Sequence, residues 1–354
     1  MTLNNIQLDL DLHTTDGATI EAWVENCLRS QNDDAIIQAI SGMHKIETNR
    51  VADAVAQQFN DFVDRIGKRE FHVRMISIPV SITADSQIDE SVFRIRDVSR
   101  YLQTFYQHGL VNKDNGGIVL LNRLIDHTEL ENTPLSDLYA LRQTIFDSAK
   151  QGKLRTPNLG RFGEGTPDTS WLFIPNGFYT MRHLVGVVFW DGSRSTPPII
   201  EGKGDVDNWM ATTINAMLMD IVSQDGGEIE VSILPPAPLL DAIFAATMTM
   251  MGRVIGALTE ESQSQVGDSA AKIILGCDQN MPGRNQVKVA MVSKENPDHI
   301  TAAITVRLSI MESIQTAMVL QFLSETLLAN GVEVMSNEYY SGAIPEEGSP
   351  SLLQ

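Results

Sequence analysis

The chain has 354 residues, of which 43% are hydrophobic and 20% are charged, and its formal net charge is -19 at pH 7. This length predicts two or three domains with hydrophobic cores, and the composition excludes collagen, coiled-coil and disordered proteins. The acidic excess repels phosphate groups, so neither nucleic acid nor a membrane surface is expected as a partner. Cys27 and Cys277 are too few for a disulfide framework and have no CxxC spacing, which favours a cytoplasmic protein.

Residues 1–68 are predicted to form an arm followed by a pair of helices. Polar and apolar residues alternate at the start of the chain, as in a half-buried strand. We expect this segment to act as an interaction arm, whose apolar face comprises Ile6, Leu8, Leu10 and Leu12. It lacks the basic segment and unbroken apolar run of a signal peptide. Helical spacing of apolar residues over 17–67 predicts the two helices.

Residues 69–234 are predicted to form a first α+β unit. Alternation, turn residues and helical periodicity predict strand, helix, strand, strand, helix and strand at 71–82, 89–108, 118–121, 184–190, 205–223 and 228–234. A large insertion, 123–182, separates the two halves. This β-α-β-β-α-β order is typical of the ferredoxin-like, or split βαβ, motif.

Residues 235–337 repeat part of that pattern. The segment RMISIPVSI is echoed by EVSILPPAP, and each is followed by a helix and then an apolar strand at nearly the same distance. The sequence therefore predicts an α+β fold of two tandem ferredoxin-like (βαββαβ) units behind the arm and helical pair. It leaves open whether the strand at 228–234 ends the first unit or begins the second. Residues 338–354 are predicted to be a flexible acidic tail.

The longest apolar helix is predicted near residues 239–258. Asp241 and Arg253 interrupt it, which leaves an apolar stretch shorter than the ~20 residues that cross a bilayer. We therefore expect no membrane-spanning segment.

No catalytic constellation, metal site or cofactor is predicted. The seven histidines are scattered, and no pair has the spacing that places two metal ligands on one helical face. Asp205 and Asp207 resemble a metal-binding pair, but they lie where a helix is predicted to begin. Their position favours a capping role, because a helix N-terminus attracts negative charge.

Two functions remain after these exclusions. The favoured one is a non-catalytic cytoplasmic assembly or adaptor protein, which binds protein partners or forms a homo-oligomer through sheet edges or the arm. The alternative is an enzyme or small-molecule-binding protein with a site in the cleft between the two repeats, under the 123–182 insertion. The binding groups of that cleft would be Arg155, Arg161, Glu164, Asp168 and Arg182.

Overall fold

A computed structural model describes residues 71–344 except 89–92, 96–97, 113, 115, 134–136, 139, 143, 145–170, 175–176, 192–194, 223–228, 267, 278–284, 309–315 and 341–343. The predicted arm and helical pair (1–68) and most of the predicted tail lie outside these residues. The described part is an α+β protein with two sheets, as the sequence predicts.

The elements alternate between strands and helices along most of the chain. The strands are β1 (Phe71–Ala84), β2 (Gly116–Asp126), β3 (Leu172–Ile174), β4 (Gly177–Asp191), β5 (Ile229–Ile233), β6 (Ala237–Pro238), β7 (Ser269–Cys277), β8 (Asn285–Ser293), β9 (Ile300–Arg307) and β10 (Glu333–Tyr339). The helices are α1 (Val98–Gln107), α2 (His127–Asn132), α3 (Pro198–Glu201), α4 (Val206–Trp209), α5 (Asn215–Val222), α6 (Leu239–Val266) and α7 (Thr316–Ala329). A π-helical turn, Met210–Ile214, joins α4 to α5.

The first sheet has the strand order β2-β4-β1-β5, and every neighbouring pair is antiparallel. The chain passes from β1 through α1 to β2, and β4 lies between these two strands. The strand expected at 228–234 is β5, which pairs with β1 and so belongs to this sheet. The short strands β3 and β6 pair with β4 and β1.

Pro79 explains why β5 and β6 are separate strands. Proline has no backbone N–H, so a strand beside it loses one hydrogen bond of the ladder. β5 pairs with Val80–Ala84 and β6 pairs with Ile76 and Ser77, on either side of this proline. Between them, the Leu234 amide donates to the Pro79 carbonyl at 2.9 Å, so the chain stays attached across the gap.

The second sheet has the order β10-β7-β8-β9, in which β10 is parallel to β7 and the other pairs are antiparallel. From α6 onward the element order is therefore α-β-β-β-α-β. This differs from the predicted second βαββαβ unit, because β5 and β6, which would begin it, pair with β1 in the first sheet.

Most of β1 is buried on both faces, which accounts for the apolar residues at neighbouring positions from Met75 to Ile82. On one face, Ile76, Ile78 and Val80 pack into a core that includes Phe105 of α1 and Trp209 of α4. The opposite face of the sheet contacts α6. The first sheet is thus a middle layer between two sets of helices.

α6 packs on both sheets. Ala246 packs with Tyr179 and Met181 of β4, whereas Met251 and Ile255 belong to the core of the second sheet. A helix that contacts two layers has to be apolar around most of its circumference. Within the described residues, one helical segment, Leu239–Ser264, is long and apolar enough to cross a membrane, and half of its most apolar window is buried inside the protein. The core helix of a soluble protein has the same character, so this segment is weak evidence for a membrane.

Gly186 marks a close approach of β4 to β2. A Cβ atom at this position would lie 2.7 Å from Leu120 Cδ2 and 2.8 Å from the Val119 carbonyl oxygen. We expect Gly186→Ala to lower the free energy of unfolding by about 1–3 kcal/mol, the usual effect of overpacking a core. Gly256→Ala in α6 is the matched control, because its Cβ would have nothing within 4 Å. Urea denaturation of both variants measures the difference, and equal midpoints would contradict the prediction.

Candidate functional site

Of the five residues predicted to line the cleft, Arg182 is the one that lies within the described part of the chain. Its side chain is buried beside a carboxylate. Its side chain is 1% exposed, and its Nη1 lies 3.6 Å from Asp126 Oδ2. The prediction placed it in a surface insertion, but β2 extends to Asp126 and β4 already begins at Gly177, so both residues are in paired strands. Arg155, Arg161, Glu164 and Asp168 lie outside the described residues.

The surroundings of Arg182 hold its guanidinium in place. Its Nε donates to Thr180 Oγ1 at 3.1 Å, and the guanidinium lies 4.4 Å from the centre of the Phe93 ring. The partner carboxylate has a second role, because Asp126 Oδ1 accepts from the backbone amides of Thr128 and Glu129 and so caps α2. In this conformation Arg182 links two strands and a helix, and its side chain is buried.

A chain of hydrogen-bonded polar side chains lies between the first sheet and α6. Ser77 Oγ of β1 is 2.8 Å from His183 Nδ1 of β4, and His183 Nε2 is 2.9 Å from His127 Nδ1 of α2. His127 Nε2 is 3.2 Å from Thr247 Oγ1 of α6. This series of hydrogen bonds ends at a backbone carbonyl, because the Thr247 hydroxyl lies 3.1 Å from the Ile243 carbonyl oxygen. We call these four side chains, Ser77, His183, His127 and Thr247, the polar seam.

When both imidazoles are neutral, the carbonyl of Ile243 determines the direction of each hydrogen bond in the polar seam. A carbonyl only accepts, so the Thr247 hydroxyl donates to it and its oxygen must accept from His127 Nε2–H. His127 Nδ1 then carries no proton and accepts from His183 Nε2–H. His183 Nδ1 in turn accepts from the Ser77 hydroxyl. In the neutral state both imidazoles are therefore Nε2–H tautomers, and all four ring nitrogens have a partner.

Burial favours the same neutral state. Ser77, His183 and Thr247 are 0% exposed and His127 is 2% exposed. Burial lowers the pKa of His127 to about 4. It also lowers the pKa of His183 well below its ordinary value, and the neighbouring His127 adds to that effect. The two rings stack with their centres 5.1 Å apart.

This geometry suits a structural polar contact better than catalysis. A serine hydroxyl bonded to an imidazole can serve as a nucleophile, but only where a substrate reaches it. The Ser77 and His183 side chains are covered by α6, and both imidazoles are held by neighbours on each side. Among the described residues, no group of three or more His, Cys, Asp or Glu side chains could hold a metal ion.

The sequence analysis missed the polar seam because its members are far apart in the chain. Ser77 and His183 are 106 residues apart, and His127 and Thr247 are 120 residues apart. No short-range spacing reports such a pairing. The available signal was a polar residue within a strand or helix whose other residues are apolar. His183, directly before the apolar run LVGVVFW, is an example.

Asp205 occupies the predicted position but makes different contacts. It directly precedes α4, yet its side chain forms no capping hydrogen bond with the helix amides. Its Oδ2 instead lies 2.6 Å from His108 Nδ1 and accepts from Asn208 Nδ2 at 3.2 Å. The hydrogen bond from His108, followed by that from Asn208, lowers the pKa of the Asp205 carboxyl group.

The outer edge of β10 is the most exposed apolar feature of the second sheet. β10 pairs with β7, and no other strand in the described part of the chain pairs with it. Met335 is 46% exposed and Tyr339 is 65% exposed. We call β10 with these two side chains the β10 edge. On α7, Met318 and Leu328 are also exposed.

Comparison with known proteins gives no match: no family model, no curated protein and no solved structure is similar to this chain.

Proposed function

We propose that this protein is a non-catalytic assembly or adaptor protein, which associates with itself or with partner proteins by adding a strand to the β10 edge. The observation that supports this proposal is a seven-residue edge strand that carries two exposed apolar side chains. An unpaired strand edge offers backbone donors and acceptors to another chain, and natural proteins usually protect such edges. This edge has no proline, lysine or arginine, and its protective features are Glu333, Glu338 and an irregular pairing between Val334 and Ser336.

The proposed strand donor is the N-terminal arm of a second copy. The alternation of Ile6, Leu8, Leu10 and Leu12 places its apolar side chains on one face of an extended segment. An added strand of this kind would bring that face beside Met335 and Tyr339, so apolar surface would be buried on both partners. The result is a homo-oligomer in which each arm extends a neighbour's sheet. The acidic composition and low cysteine content support the cytoplasm as its location.

The experiment measures molar mass by size-exclusion chromatography with light scattering over a range of protein concentrations. We expect the full chain to be oligomeric, and we expect Tyr339→Lys to shift it towards monomer, because a charge on an edge strand opposes strand addition. Deletion of residues 1–16 should have the same effect. Met318→Lys is the matched control, since Met318 is a similarly exposed apolar residue that lies on α7 rather than on the edge.

Two results would count against this function. A full chain that stays monomeric at every concentration would remove self-association. An oligomer that is weakened equally by Tyr339→Lys and Met318→Lys would show that the β10 edge has no special part in it. Circular dichroism of each variant confirms that the fold is retained.

We further propose that the first sheet, with the helices that follow β1 and β4, is a ferredoxin-like unit. The support is its order β2-β4-β1-β5 with antiparallel neighbours, in which β4 splits the β1-α1-β2 connection. The second sheet lends less support to a tandem copy, because its helix α6 has no preceding strand in that sheet. An experimental structure in which the two sheets superpose with their helices would establish the duplication.

A further inference from the structure

The polar seam lies where four elements meet. Ser77 is on β1, His183 on β4, His127 at the start of α2 and Thr247 on α6. The Thr247 hydroxyl is the link from α6 to this chain, and it accepts one hydrogen bond and donates one. Apolar contacts, such as those of Ala246 with Tyr179 and Met181, also join α6 to β4.

We propose that the polar seam is a proton-operated latch, which holds α6 on the first sheet while both imidazoles are neutral and releases it when they are protonated. The chain of donors and acceptors runs in one direction, from the Ser77 hydroxyl to the Ile243 carbonyl. The chain can take up one added proton, at His183 Nδ1, if the Ser77 hydroxyl turns to accept, but a second proton has no position in it.

His127 is the most sensitive member. Its Nδ1 accepts a hydrogen bond from His183 Nε2–H at 2.9 Å. When His183 is also protonated, a proton on this atom sets one N–H group against another at hydrogen-bonding distance, and neither group can rotate away as a hydroxyl can. His183 Nδ1 differs, because it faces the Ser77 hydroxyl, which can turn to accept. Protonation of both imidazoles thus breaks the middle of the chain.

The ionisable groups on the surrounding elements do not provide a ready counter-charge. Asp126, next to His127, pairs with Arg182 and caps α2. Glu129 of α2 lies 3.6 Å from Arg123 of β2. Burial raises the pKa of Tyr179 on β4 to about 12, so its hydroxyl stays neutral, and the Arg253 charge on α6 partly opposes that shift. The other ionisable side chains on α2 and on the described α6 are Glu131, Asp241, Glu260 and Glu261. Asp241 and Glu260 are exposed to solvent.

The direction of the pH effect follows from the lowered pKa values. An unperturbed histidine has a pKa of about 6.5. Burial lowers that of His127 to about 4 and lowers that of His183 well below the ordinary value. Between about pH 6.5 and 4, the released state binds protons that the latched state excludes. The latch is therefore complete above this range and weakens as the pH falls through it.

The test is amide hydrogen exchange of residues 243–251 in α6, measured on the full chain at pH 7.5 and pH 5 and corrected for the intrinsic exchange rate. We expect the protection of these amides to fall at least about tenfold at pH 5. Each proton that the latched state excludes shifts the equilibrium towards the released state by about tenfold per pH unit. The double variant His127→Gln/His183→Gln should lose much of that pH dependence. His299→Gln is the matched control, because His299 is an exposed histidine away from the polar seam.

The wild-type protein also provides a measurement that needs no variant. Nitrogen-15 NMR at pH 7.5 should show both buried imidazoles as Nε2–H tautomers, which do not titrate near pH 6.5. Either imidazole titrating near pH 6.5, or α6 protection that is the same at pH 7.5 and 5, would overturn the latch. Both outcomes are independent of the proposed strand addition at the β10 edge.

Discussion

Replacement of Trp209 by alanine is expected to lower the free energy of unfolding by about 3–5 kcal/mol, the usual range for a large aromatic residue removed from a core. Trp209 is 0% exposed, and its ring centre lies 4.2 Å from that of Phe105. Its indole Nε1 also donates to Thr104 Oγ1 at 2.9 Å. The substitution leaves a cavity between α1 and α4 and removes this hydrogen bond. Guanidinium denaturation followed by circular dichroism measures the change.

Trp209→Phe is the control that separates the ring from its hydrogen bond. Phenylalanine retains most of the contact with Phe105 but has no N–H, so we expect a loss of about 1–2 kcal/mol. If the alanine variant lost no more than the phenylalanine variant, the indole would not be the main support of this core. Trp209 immediately precedes the π-helical turn Met210–Ile214, so the same variants show whether its packing stabilises that irregular turn.

Replacement of Asp126 by alanine is expected to have a similarly large effect, about 3–5 kcal/mol, because it leaves the Arg182 charge buried without its carboxylate. The side chain of Arg182 is 1% exposed, whereas that of Asp126 is 12% exposed. The same substitution also removes the cap of α2, which contributes about 1 kcal/mol. Urea denaturation at pH 7 measures the total.

Two further variants separate the contribution of the charge pair from that of the helix cap. Asp126→Asn retains a capping side chain and removes the charge, so it should be less destabilised than the alanine variant. Asp126→Ala/Arg182→Met removes both charges and should be more stable than Asp126→Ala alone, since no unpaired cation remains. A double variant that is as unstable as the sum of the single variants would mean that the two side chains do not interact.

The elements that could be predicted from the sequence are those with a clear local pattern. β1, β4 and α6 were expected near their observed positions, because each combines a long apolar segment with turn residues at its end. The order along the chain of β1, α1, β2, β4 and β5 was also predicted, since turn residues and a change of period separate these elements. Local sequence was sufficient for these features.

The strand lengths were not predictable to the same extent. The expected strands at 118–121 and 184–190 are observed as Gly116–Asp126 and Gly177–Asp191. The added residues include Arg123, Asp126 and Arg182, which read as surface loop in isolation. Their charges are accommodated by partners on neighbouring elements, and a single sequence contains no information on those partners.

α6 shows a second limit of sequence patterns. Helical spacing places Thr247 on one apolar stripe together with Met251 and Leu258. The structure separates these residues, because Met251 and Leu258 belong to the second core whereas the Thr247 hydroxyl contacts His127. A helix between two layers has two apolar faces, and periodicity alone does not assign residues to one or the other.

Because α6 packs on both sheets, it also restricts which substitutions this protein can tolerate. A substitution on this helix that improves the fit to one sheet alters its fit to the other, so compensating replacements have to arise in two places at once. We therefore expect a saturation mutagenesis experiment to find fewer tolerated amino acids along Leu239–Leu258 than along α7, which covers a single sheet.

The same coupling would make a gene divided near residue 235 yield two fragments that are soluble only when they are produced together.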